Sequence, residues 1–279
     1  SSFSIKVTSD RSIVVALTGY DTRGDQTGFT ELGIVGAGST RGVIPMGNAG
    51  EDAQQFISFL NASDTTAAVI TLVLSFSDGS PELPITTAGL IIQPNARTVF
   101  NLADIPEAND GRRYTIRYTS GSTPLYAHAR NVQFADEVRY PVGLDAATQW
   151  LFAEGFMDPS RAGDDVLETL SIFNPNTEAM GRANAAADVT IRFLYTDGTV
   201  VTENRTLNAA GRLDLDIHTL TSVLNQGTQN SRFFYSIDVS SNVPVVSQFW
   251  HHDLTLGGIQ PSGGFGELGT PRGTIVRLG

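Results

Sequence analysis

The chain has 279 residues, a formal net charge of −11 and no cysteine. The length suffices for two core-bearing domains. The acidity argues against nucleic acid and anionic membrane surfaces as partners, and the missing thiols exclude disulfides, cysteine-ligated zinc and thiol catalysis.

Lys6 is the only lysine, so a lysine–asparagine isopeptide staple in every domain is ruled out. Stability must come from buried apolar area and sheet hydrogen bonds. Charged residues are few, while Gly, Ser, Thr and Asn are abundant, a mixture suited to strands and turns. No apolar run reaches the ~20 residues of a transmembrane helix, and no basic stretch leads into an apolar one as in a signal peptide. The chain opens Ser1-Ser2-Phe3 without Met, as expected of a processed protein or a piece of a longer one. Removal of a leader would place it outside the cytoplasm, extracellular or at the cell surface.

The first predicted element is a hairpin over residues 3–21. It aligns without a gap on residues 235–253, and a middle copy runs from Tyr114 to Arg130 with a longer turn. Phe29-Thr-Glu-Leu-Gly33 recurs as Phe265-Gly-Glu-Leu-Gly269, and Arg41-Gly-Val-Ile44 as Arg272-Gly-Thr-Ile275. By position, Trp150-Leu-Phe-Ala-Glu154 is the middle counterpart. A strand over 57–60 ends at Asn61. The next, 70–76, alternates on Ile70, Leu72, Leu74 and Phe76, the period of a half-buried strand. Asp78-Gly79 signals a hairpin, and a strand follows Arg97. The second copy matches element for element. A strand over 167–173 ends at the turn sequence Asn174-Pro175-Asn176. Residues 188–195 alternate on Val189, Ile191, Phe193 and Tyr195. Asp197-Gly198 turns the chain into a Thr- and Val-rich strand over 199–207, and 211–217 alternates again. Residues 180–185 are an insertion, and only short stretches such as 220–224 suit a helix.

Fixed-period self-similarity marks a modular array. About seven short strands in ~110–120 residues is the size of an immunoglobulin-like sandwich. The expected fold class is therefore all-β, with tandem immunoglobulin-like β-sandwich modules. In this frame residues 1–33 are the closing hairpin of a module, 40–140 are one module, 148–260 a second, and 271–279 a C-terminal opening strand. A circularly permuted frame is equally legal and makes 1–33 the N-terminal strands of the first sandwich.

Few constellations offer chemistry. His251-His252-Asp253 has the look of a metal cluster, but its counterparts in the first hairpin are Gly19-Tyr20-Asp21, and His128 and His218 lie on other strands. The bland reading is two imidazoles at a hairpin end. Asp158, Asp164 and Asp165 form an acidic loop, with Glu51 and Asp52 at the matching place; the spacing is not that of an EF-hand. No cofactor is expected, and Ca²⁺ is the alternative to a solvated acidic loop. No Gly-x-Ser-x-Gly elbow and no phosphate-binding Gly-x-x-x-x-Gly-Lys loop occurs, so an enzyme is not expected. Asn61-Ala-Ser63 and Asn204-Arg-Thr206 fit the glycosylation sequon, though Asn61 also reads as a turn residue. Trp150, Phe249 and Trp250 would line a sugar-binding face or, on the commoner pattern, pack in the core.

Trp150-Leu-Phe-Ala-Glu-Gly155, Asn174-Pro175, Tyr195-Thr-Asp-Gly198 and Val243-Pro-Val-Val246 resemble a repeat found in tandem in bacterial secreted and cell-surface proteins. The first copy departs from it at Ile44-Pro-Met-Gly47 and at Asn61-Ala62. The resemblance implies extracellular β-sandwich arrays, no defined activity and no catalytic residues.

The sequence thus leads to a non-enzymatic structural protein, a subunit of an extracellular filament or surface layer. Its expected partners are copies of itself, head to tail, through strand complementation. The candidate assembly strands carry Phe3, Ile5 and Val7 at one end and Ile275, Val276 and Leu278 at the other. The alternative is a carbohydrate-binding or adhesive module, with a glycan as partner.

Overall fold

The alternation over 70–76 has a direct structural consequence: Ile70, Leu72, Leu74 and Phe76 are all buried. A computed structural model describes residues 5–13, 15–20, 28–32, 34, 38–50, 53–133, 136–143, 145–163, 165–254 and 263–278. It is an all-β protein of several antiparallel sheets.

The first strands, β1 (Ala16–Tyr20) and β2 (Gly28–Leu32), make a two-stranded sheet of their own. The N-terminal half then runs β3 (Arg41–Asn48), β4 (Ala53–Asn61), β5 (Ala68–Phe76), β6 (Leu83–Ile92), β7 (Ala96–Asn101), β8 (Arg113–Thr119), β9 (Tyr126–Gln133) and β10 (Asp136–Pro141). Its sheets have the orders β3-β8-β5-β6 and β10-β9-β4-β7. Ile44, Ile57, Phe59, Leu72 and Tyr118 belong to one buried cluster drawn from both sheets.

The C-terminal half comprises β11 (Asp145–Phe156), β12 (Val166–Phe173), β13 (Ala187–Tyr195), β14 (Val200–Leu207), β15 (Arg212–Asp216), helix α1 (Thr221–Asn230), β16 (Phe234–Asp253), β17 (Gly263–Leu268) and β18 (Thr270–Arg277). Its first sheet has the order β14-β13-β16-β11-β18; in the second, β12 lies between β15 and β16, and β17 lies on the other edge of β16. Strand for strand this is the order of the N-terminal half, with β18 added.

One difference separates the halves. In the first, two strands, β8 and β9, serve the two sheets, and Gly121 in the link takes a positive φ of 63°. In the second, the single strand β16 serves both. Residues 235–241 pair with β13, and residues 246–253 pair with β12. Pro244 stands at the changeover, where its missing N–H costs no ladder bond.

Local chemistry closes the hairpins. Gly79 and Gly198 take φ of 77° and 85°, the left-handed region that favours glycine. Asp78 Oδ1 accepts the Ser80 N–H at 2.8 Å and Asp197 Oδ1 accepts the Thr199 N–H at 3.0 Å. Asn61 and Asn174 each end a strand, fully buried. The Asn61 amide donates to the Thr66 and Ile92 carbonyls, and the Asn174 amide to those of Ala185, Leu207 and Asn208. Each ties its strand end to a neighbouring hairpin. The helical stretch is longer than the sequence suggests: α1 runs to Asn230 and buries Val223.

Of the segment expected as an opening strand, 271–279, the residues in β18 lie along β11. Ile275 stands opposite Ala147, Val276 opposite Ala146, and Leu278 is buried in the core of the C-terminal half. β18 and Leu278 thus join the first sheet and the core of that half.

Candidate assembly surface

The two halves meet by exchanging core residues. Val43 of β3 belongs to the C-terminal cluster, and Trp250 of β16 to the N-terminal one. Alternation along β16 explains the second exchange: Phe249 points into its own core, so Trp250 points out of it, towards the other half. There the indole packs against Tyr140, ring centroids 5.5 Å apart. Gly266 leaves room for this contact, since a Cβ there would collide with Val138 and crowd the indole.

Polar contacts fasten the same boundary. The Met46 N–H donates to Gln248 Oε1 at 3.3 Å. Arg113 pairs with Asp216 at 2.6 Å, and Arg41 Nη1 donates to the Met180 carbonyl at 3.1 Å. Gly143, just before β11, exchanges both backbone hydrogen bonds with Val43 at 2.9 and 2.8 Å. The closing strands also pack in series, β2 against β10 and β10 against β17.

Of the sequence-predicted assembly residues, Phe3 lies outside the described residues. Ile5 and Val7 are 58% and 51% exposed and belong to no strand. Ile275 is 50% exposed, Val276 is half-buried and Leu278 is buried. Among the described residues, no strand lies on the outer edge of β18.

The other candidates separate in space. Within His251-His252-Asp253 the side chains go to different partners. His251 Nδ1 meets Glu168 Oε1 at 2.8 Å and its ring stacks on Phe265, His252 lies beside Trp250, and Asp253 accepts from Arg161 at 2.6 Å. His218 Nδ1 lies at the Glu168 backbone, and the His128 Nε2 is buried in the N-terminal half. Among the described residues no three of His, Asp and Glu converge as metal ligands. Asp158 accepts from Ser160 in a local turn, Asp165 faces Arg161 at 3.9 Å, and Glu51, Asp52 and Asp164 lie outside the described residues. The Asn61 amide is consumed by its buried bonds, whereas Asn204 is exposed on β14. Trp150, Phe249 and Trp250 are buried, so they line no exposed sugar platform. Among the described residues no helix is long and apolar enough to cross a membrane.

One buried cluster carries no motif in the sequence. Glu168 is fully buried, and its carboxylate accepts from the Phe156 N–H at 2.8 Å, from Tyr235 Oη and from His251 Nδ1. Burial, followed by the Glu168 charge, pushes the Tyr235 phenol well above its ordinary pKa. The signal was present: Glu168 shares its face of the strand with Val166, Leu170 and Ile172, all core positions. By strand pairing, Gln55 and Asn131 are the counterparts of Glu168 and His251. They form a neutral version, Asn131 Nδ2 donating to Gln55 Oε1 at 3.2 Å. Gly155 and Gly47 are counterparts too, each lying under a tyrosine ring, Tyr235 or Tyr114, where a Cβ would clash.

No family model matches the chain, and no curated protein matches it. Among solved structures it is similar to Thermotoga maritima 1070, at 23% identity and a TM-score of 0.35, over 46% of this chain and 96% of that one. It is also similar to an Anabaena sensory rhodopsin transducer, at 25% identity and a TM-score of 0.29, over 37% of this chain and 96% of that one.

Proposed function

We propose that this chain is a non-enzymatic structural protein of the cell exterior. Its halves are tandem immunoglobulin-like β-sandwich modules, and it assembles head to tail into a filament or surface layer. One observation carries the reading: the halves share a strand order and are fastened by the mutual exchange of Val43 and Trp250. Such a junction fixes one module rigidly on the next, which is what a load-bearing array needs. The serial packing of β2, β10 and β17 supports it, because the same class of strand abuts at successive boundaries. The net charge of −11 suits a solvated surface exposed to water.

Electron microscopy of the purified native protein tests the reading. Filaments or a lattice are the expected result, and monodisperse particles over the accessible concentration range would overturn it. Protease treatment of intact cells tests the location: the protein should be cleaved without lysis.

A further inference from the structure

Resting on that head-to-tail reading, we propose that the outer edge of β18 binds residues 5–9 of a second copy of this chain. The added strand is antiparallel, in the register that sets Ile275 opposite Ile5.

The register follows from the pairs already made inside the chain. In the N-terminal half Ile44 of β3 pairs with Ile116 of β8; in the C-terminal half Phe152 of β11 pairs with Ile237 of β16 and Trp150 with Val239. Arg272-Gly-Thr-Ile275 matches Arg41-Gly-Val-Ile44, so Ile275 stands where Ile44 stands. Residues 5–9, Ile-Lys-Val-Thr-Ser, match Ile237-Asp-Val-Ser-Ser241 of β16, so Ile5 stands where Ile237 stands. Transferring the observed pairs gives the register above.

The edges are in the right state for it. The strand that opens the second half begins against the opening strand before it, Gly143 on Val43, and then takes β16 as its partner. β18 has taken the first of these steps, lying along β11. Its other edge presents backbone donors and acceptors without a strand among the described residues, a ready template for addition. Residues 5–9 alternate apolar and polar side chains, the period of a strand, yet occur in no ladder. Directly opposed residues share a face of the sheet. The register therefore covers the 50%-exposed Ile275 with the 58%-exposed Ile5. A donor segment and an acceptor edge on different surfaces of the same chain, paired between copies, produce open head-to-tail growth.

The absence of cysteine makes a clean test. Full-length Ile5→Cys protein is mixed with differently tagged Ile275→Cys protein under mild oxidation and run on a non-reducing gel. Both positions are exposed, so the variants should fold. A mixed dimer at least tenfold above that from Ile5→Cys with Thr274→Cys is expected, because the neighbouring residue faces the other way. Equal yields, or no mixed dimer, overturn the pairing. Arrays seen by microscopy without the mixed dimer would overturn the pairing and leave the array reading standing. Dispersed particles with no dimer would overturn both.

Discussion

Trp250 of β16 packs against Tyr140 of β10 across the boundary between the halves, with ring centroids 5.5 Å apart. The contact makes the N-terminal core depend on a residue supplied by the C-terminal half. Trp250→Ala should therefore destabilise the protein by about 3–5 kcal/mol. It should also split one cooperative unfolding transition into two. Denaturant titration with separate probes on each half checks this, and Trp250→Phe should retain most of the coupling.

Asn174 is as demanding as an apolar core residue. Its amide serves three carbonyls, and its Oδ1 accepts from the Asn176 backbone at 3.1 Å. Asn174→Ala removes these bonds, each costing about 1–3 kcal/mol where the stranded group stays buried. A total loss of about 3 kcal/mol is expected by chemical denaturation, with Asn61→Ala somewhat milder.

Glu168→Ala removes a buried acceptor of three donors and strands Tyr235 and His251. A loss of about 3–5 kcal/mol is expected. Glu168→Gln should cost less, since Gln55 fills the counterpart position in the first half with an amide. A double-mutant cycle of Glu168→Gln with His251→Ala should show a coupling of about 1–3 kcal/mol.

Burial, helped by the Arg139 charge, pushes the His128 pKa down from 6.5 to about 4. The unfolded chain then binds a proton that the folded chain refuses between those values. Stability should be full above pH 6.5 and fall as the pH drops towards 4, by on the order of 3 kcal/mol. His128→Gln should flatten that part of the stability–pH profile, measured by urea titration at several pH values.

A further test concerns Gly155, where a Cβ would run into the Tyr235 ring. Gly155→Ala should cost about 1–3 kcal/mol as strain, and Tyr235→Leu should relieve part of it.

What the sequence determined by itself was local. Period-two alternation announced β5 and β13, Asp-Gly announced their hairpins, and a shared Asn marked the ends of β4 and β12. Each of these is set by neighbouring residues, through side-chain direction or turn geometry, so it can be read without the rest of the chain. The likeness of the halves was legible for the same reason. Tertiary structure decided the pairings between distant segments. It made β16 one strand in two sheets, turned Trp250 into the other half's core, drew Glu168, Tyr235 and His251 together and laid β18, the sequence match of β3, along β11. Those outcomes depend on which strand edges and core faces are still open once the local elements have formed, and edge availability leaves no period in the sequence.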